Sequence, residues 1–193
     1  VKLGYKFYRI HLLKMKHKLY DIARNSNDNN DLVYSGFVSP MFSAYDGYCI
    51  GDTRGITFVD LDSNTSKPYK IKYEKNYTKS EMMVSKKDIV NVAFECSYNI
   101  NCVDDITYRY PEKSGNIVDE KYLQNIYSFT RNMLDSCSQN NVKRVNFYIA
   151  AKQPVSFVIG TAIQDYHPIV YIYEFKEGKY CMPIIIQEGK LGK

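Results

Sequence analysis

The sequence predicts an α/β fold built from two copies of one strand–turn–helix–strand unit, and three observations lead there. A β-type run over residues 145–151 stops at Lys152-Gln153, and Pro154 opens a short apolar helix over residues 155–163. Proline suits a first helical turn, where the amide it lacks would have no partner anyway. A second strand, residues 169–175, is nearly continuous in β-branched and aromatic residues and reads as buried on both faces. The same order occurs earlier, with a strand at residues 32–38, the junction Ser39-Pro40 and a returning strand at residues 56–61. The landmarks keep their spacing. Pro40 to Gly47 is seven residues against six from Pro154 to Gly160, and Gly47 to Ile56 and Gly160 to Ile169 are both nine. Asp21 to Pro40 and Asp135 to Pro154 are both nineteen, which reads as an internal duplication.

In chain order, residues 1–25 read as a leading basic amphipathic helix. Tyr5, Tyr8, Leu12, Met15, Leu19 and Ile22 form one apolar stripe, and Lys6, Arg9, Lys14, Lys16 and Lys18 make the rest basic. Its plain reading is a helix packed on a sheet; its sharper one is a connector from an upstream segment beside a membrane surface. The chain begins at Val1 rather than Met, which leaves room for an upstream effector or membrane anchor. Residues 26–87 form the first half. Within it Gly51 to Gly55 is a turn, residues 69–73 a strand and residues 74–87 a charged connection. Residues 88–187 form the second half. It opens with a strand at residues 89–96, parallel to that at 145–151 and ending in Ser97-Tyr98-Asn99. A long irregular loop, residues 100–118, follows. Asp119 then caps a helix over residues 120–138 whose stripe is Tyr122, Ile126, Phe129 and Met133. Residues 180–186 make the last strand, and residues 188–193 a frayed tail.

Composition narrows the function classes. The chain has 193 residues, 45% hydrophobic and 24% charged, with a mild net charge of +5. Five cysteines form no CxxC pair, so metal-ligand spacing is absent and a reducing cytoplasm is expected. No apolar run approaches the ~18 residues that span a bilayer. Neither GxGxxG nor GxxxxGK[ST] occurs. His11 and His17 are six apart, off a common helix face, and His167 in a turn reads as a surface or capping residue. Asp104-Asp105 reads as a solvated pair. The residues offer a binding cleft more readily than a reaction, because free amides at a helix N-terminus beside strand ends suit an anion.

The run from Asn146 to Pro154, with Phe157, Gly160, residues 169–175, Gly178 and Tyr180, resembles the closing signature of SAVED domains. These are sensors fused to various effectors in bacterial anti-phage (CBASS-type) signalling. Residues 36–40 with Gly47-Tyr48-Cys49-Ile50-Gly51 are similar to the family's middle segment. The resemblance implies an α/β fold of two fused CARF-like (Rossmann-like) halves with largely parallel sheets and flanking helices. It also implies a cyclic di-, tri- or tetranucleotide bound in the groove between the halves; no further cofactor is expected, and the absence of a credible acid–base pair among the residues gives an expectation of no catalysis. An effector elsewhere in the polypeptide or operon, and homo-oligomerisation on ligand binding, belong to the same expectation. This chain departs from the family in lacking a recognisable first strand before the opening helix and in carrying no effector. The expected ligand-binding residues are Ser39, Pro40, Arg54, Ser97, Tyr98, Asn99, Tyr108, Lys152, Gln153 and Pro154. The tyrosines would stack on bases, each contact worth roughly 1–3 kcal/mol. Lys152 would meet a phosphate or stand solvated at the sheet edge. On either reading, its replacement by alanine should change stability by no more than ~0.5 kcal/mol. Two alternatives stay open: a ring nuclease that cleaves the messenger, and a protein-interaction module without a nucleotide ligand.

Overall fold

A computed structural model describes residues 14, 17–18, 32–35, 38–52, 55–61, 67–101, 105–109, 118–187 and 190–191. The expected leading helix therefore lies outside the described residues, apart from helical, exposed Lys14, His17 and Lys18. Arg54, Asp104 and His11 also lie outside them.

Two sheets organise the chain. β1 (Leu32–Ser35) is followed by α1 (Pro40–Ile50), β2 (Ile56–Leu61) and β3 (Pro68–Tyr73), in the sheet order β1-β2-β3. The second sheet draws on β4 (Ile89–Glu95), β5 (Ile106–Arg109), β6 (Arg144–Ala150), β7 (Ile169–Lys176), β8 (Lys179–Ile185) and β9 (Lys190–Leu191). Its order is β5-β4-β6-β7-β8-β9. Pairing is parallel from β5 through β7 and between β1 and β2, and antiparallel at β3, β8 and β9. The described residues also form the helices α2 (Glu120–Gln139) and α3 (Gln153–Thr161). Glu177 and Gly178, with φ 52 and φ 78, form the two-residue turn that joins β7 to β8.

The helices α1 and α3 join the halves. They cross where Gly47 and Gly160 remove side chains from the contact. A Cβ on Gly47 would stand 2.0 Å from Phe157 O, and one on Gly160 would stand 1.8 Å from Ala44 O. Each helix also reaches the sheet of the other half, α1 touching β6, β7 and β8, and α3 touching β2. One core therefore runs through both sheets, from Phe58 and Ile71 through Tyr45, Phe157 and Ile126 to Phe94, Phe147 and Ile172. Each fully buried large side chain among these contributes about 1.5–3 kcal/mol. The helix α2 shows its expected stripe, with Tyr122, Ile126 and Met133 buried and Phe129 partly so. Asp119 caps it by accepting the Tyr122 amide at 2.7 Å.

Several expectations need correction. The stretch expected to be irregular over residues 100–118 contains β5, parallel to β4. Its four residues, Ile-Thr-Tyr-Arg, gain stability from pairing with β4, a long-range effect that local pattern does not carry. Strand β7 is buried on one face only: Val170 and Ile172 are covered, while Tyr171 and Tyr173 are half-exposed on the other face. There Tyr173 stacks on Tyr148 at 5.0 Å. Strand β1 is described over Leu32–Ser35, and Val38, expected within it, is not in a strand. Pro154 is the second helical residue, because Gln153 opens α3 after Lys152. In the expected tail, Lys190–Leu191 pairs with β8. His167, expected as a surface or capping residue, is buried at 5% exposure and accepts the Gln164 backbone amide.

Candidate ligand-binding site at the strand ends

The carboxyl ends of β2, β4, β5 and β6 share one edge with the N-termini of α1 and α3. Lys152 reaches the end of β2, and the amides of Cys96 and Ser97, just past β4, both donate to Ala150 O at the end of β6. The two helix starts have the same backbone form. Ser39 precedes α1 with φ −62 and ψ 153, and Lys152 precedes α3 with φ −63 and ψ 158. Each carbonyl accepts the amide four residues on, Ser43 or Ser156, at 3.0 Å. The starts also touch, because Ser43 Oγ donates to Gln153 O at 2.9 Å. The start of α1, which carries Ser39 and Pro40, therefore meets the start of α3, which carries Lys152, Gln153 and Pro154.

The surroundings of these residues differ. Ser39 Oγ is buried without a hydrogen-bond partner among the described residues. The Lys152 ammonium lies 3.1 Å from Asp60 Oδ2 and donates to Leu61 O at 3.0 Å. Lys152 is thus neither solvated nor a free cation, a correction to one of its two expected roles. Pro154 is buried. Ser97, Tyr98 and Asn99 are exposed at the end of β4, and the Tyr98 ring meets Phe175 at 5.9 Å. Phe175 in turn meets Tyr180 at 5.1 Å, so an aromatic group borders the edge. Tyr108 is different: it packs against Phe129 at 4.6 Å and Phe94 at 6.5 Å, facing α2 rather than the edge.

Sequence reasoning missed Asp60, Tyr69, Phe175 and the Glu95–Arg109 pair. Arg109 Nε lies 2.6 Å from Glu95 Oε2, whose Oε1 accepts the Ile100 amide at 2.8 Å. The available signal was positional. A returning strand in a parallel unit ends on the same edge as the turn before the helix, so Asp60 at the end of β2 falls beside Lys152.

Behind the helix starts, the Tyr34 hydroxyl donates to Asp46 Oδ2 at 2.6 Å while its ring lies 4.4 Å from Phe157. Burial pushes the Asp46 carboxyl up to about 6 against the opposing effect of the Tyr34 hydrogen bond. A polar network closes the far end of the helices. Asp52 accepts Tyr127 OH at 2.6 Å and Lys75 Nζ at 3.0 Å. Asp135 accepts Tyr166 OH at 2.9 Å and Tyr77 OH at 3.1 Å. The Gln164 amide donates to His167 Nδ1 at 3.0 Å, which places the imidazole proton on Nε2, facing Asp135 Oδ1 at 2.9 Å. Burial lowers the His167 pKa although the Asp135 bond opposes it, which favours the neutral ring. Asp105, which is exposed, pairs with Lys87 and accepts the Asn91 amide at 2.9 Å at the start of β5. Among the described residues, no cluster of three His, Cys, Asp or Glu could hold a metal ion, and no helix is long and apolar enough to cross a membrane.

Residues 15–186 match the SMODS-associated and fused to various effectors sensor domain, and the chain belongs to this SAVED family. Among solved structures it is similar to the Acinetobacter baumannii Cap4 SAVED/CARF-domain containing receptor with the cyclic trinucleotide 2'3'3'-cAAA. The TM-score is 0.64 at 16% identity, covering 93% of this chain and 43% of that one. The same receptor with 3'3'3'-cAAA gives 0.64 at 14% identity, with the same coverage. The Moraxella osloensis Cap4 receptor gives 0.51 at 16%, covering 87% of this chain and 40% of that one. This chain thus spans less than half the length of these receptors, and at such identities the likeness is one of fold. No curated protein matches it.

Proposed function

We propose that this chain is a cytoplasmic sensor that binds a cyclic oligonucleotide at the shared strand edge and signals to an effector elsewhere in the polypeptide or operon. One observation carries the reading: two helix N-termini, from two βαβ units, meet at this edge through Ser43 and Gln153. Each start offers first-turn amides and the positive end of a helix dipole, and a cyclic oligonucleotide presents several phosphates around one ring. Membership of a sensor family and likeness to receptors solved with cyclic trinucleotides support the ligand class. Tyr98 and Phe175 offer aromatic faces to bases beside those phosphates. Tyr108, held against Phe129, serves packing.

Calorimetric titration with a panel of cyclic di-, tri- and tetranucleotides, including 2'3'3'-cAAA and 3'3'3'-cAAA, tests the proposal. The expected result is binding by at least one member with a Kd of about 1 μM or tighter. Absence of heat and of thermal shift across the panel would remove the proposal. The same incubations read by chromatography should return the cyclic ligand intact; linear product would instead establish a ring nuclease.

A further inference from the structure

A cation serves a phosphate ligand only if it can be released from its existing partners, and Lys152 is already engaged. Its ammonium is held by Asp60 Oδ2 and Leu61 O, and only 18% of its side chain is exposed. Asp60, 17% exposed, also accepts the Tyr69 hydroxyl at 2.8 Å. The Tyr69 ring faces the ammonium at 5.6 Å, and its oxygen accepts the Val118 amide at 3.2 Å. Val118 directly precedes Asp119, the cap of α2. One ion pair therefore ties the end of β2 to the β6–α3 junction and to the start of α2.

Resting on the ligand-binding role proposed above, we infer that the Lys152–Asp60 pair is a latch that the ligand opens, a phosphate taking over Lys152 and displacing Asp60. The electrostatics set the direction. A phosphodiester oxygen and the Asp60 carboxylate compete for one ammonium, and two anions around a single half-buried cation repel each other. Once the phosphate holds Lys152, Tyr69 is the partner that Asp60 keeps among the described residues, and a half-buried carboxylate deprived of its cation is unfavourable. The end of β2 then moves toward water with Asp60 and Leu61, and Tyr69 loosens its hold on Val118. Part of the binding free energy goes into this opening, so the latch lowers the apparent affinity. In return the bound state differs from the empty one in β2, β3 and the start of α2, a difference that an effector can recognise.

The test compares wild type with Asp60→Asn and Lys152→Met at one fixed salt concentration, using the same panel of cyclic di-, tri- and tetranucleotides. Removing the competing carboxylate should tighten binding by about tenfold or more, and removing the ammonium should weaken it by about as much, as expected for one charge-assisted hydrogen bond. Amide hydrogen exchange at residues 61, 69, 118 and 119 should speed up on binding in wild type and stay unchanged in Asp60→Asn. Tyr69→Phe, which weakens the latch without removing the ion pair, is the second variant; it should bind tighter than wild type by a smaller factor. If wild type binds and both Asp60→Asn and Tyr69→Phe bind no tighter, the latch is overturned while the sensor reading stands. If neither wild type nor Asp60→Asn binds any member, the sensor reading falls and takes the latch with it.

Discussion

The starts of α1 and α3 share one backbone frame and carry different chemistry. In both, the residue before the helix is extended, a proline sits in the first turn, and a serine four residues on donates its amide to the cap carbonyl. In both, a glycine stands eight residues after the cap, Gly47 or Gly160, and meets the backbone five residues after the other cap. The side chains then diverge. Ser39 presents a buried hydroxyl without a partner among the described residues, whereas Lys152 presents an ammonium bound to Asp60. One residue before each glycine, α1 has Asp46 and α3 has fully buried Ile159. Backbone and glycine fix how the halves meet, and the other positions are left to set what each half does.

Three sets of substitutions would break or sharpen this comparison. The largest effects belong to the shared frame. Gly47→Ala and Gly160→Ala each place a methyl group about 2 Å from a backbone carbonyl oxygen, which no rotamer change relieves. Each should destabilise the protein by roughly 3 kcal/mol or more in denaturant unfolding. Tolerance of either one would break the equivalence of the two helices.

Next comes Asp46, where the halves differ inside the core. Its folded pKa, raised by burial to about 6, lies above the unfolded value near ~3.9. The folded state therefore holds the proton more tightly than the unfolded chain does. The resulting stabilisation is fully present below about pH 4 and is lost as pH rises through about 6. Asp46→Asn cannot lose a proton, so its stability relative to wild type should rise by about 2–3 kcal/mol between pH 4 and pH 8. Thermal unfolding of both proteins across that range checks the sign, and parallel curves would show that Asp46 titrates normally.

The caps give the smallest effects and the sharpest contrast. Lys152→Met strands Asp60 and should cost about 1–3 kcal/mol, more than a surface lysine would. Ser39→Ala should fall within about 0.5 kcal/mol of wild type, although a capping serine is typically worth ~1 kcal/mol. The Ser39 side chain makes no capping bond, and its removal relieves a buried hydroxyl. Equal losses at the two caps would mean that the side chains, like the backbone, are equivalent.

What was legible in the sequence follows the range of the forces involved. The α3 junction, β6, β7 and the capped helix α2 announce themselves through proline, alternation and the Asp119 cap, all local signals. The pairing of β4 with β6 followed from the repeat. Strand β5 did not, because its four residues depend on β4 beside them. His167 read as a surface or capping residue, and its burial was hidden because its partner, Asp135, is 32 positions away. The same holds more strongly for Lys152, whose partner Asp60 is 92 positions distant. Its location at the edge was readable, and its state of charge pairing was not. Tyr98 and Tyr108 looked alike as candidates for stacking; the contact with Phe129 that separates them exists only once α2 has docked.

The crossing of α1 and α3 has a mechanical consequence. Most helix pairs meet through layers of side chains, which can change rotamer and absorb small shifts like a cushion. At Gly47 and Gly160 backbone rests directly on backbone, and no cushion is present. A rotation imposed on one helix start cannot be taken up at this point. It passes to the other helix as a stiff lever passes a push across its pivot, and from there to the sheet of the opposite half.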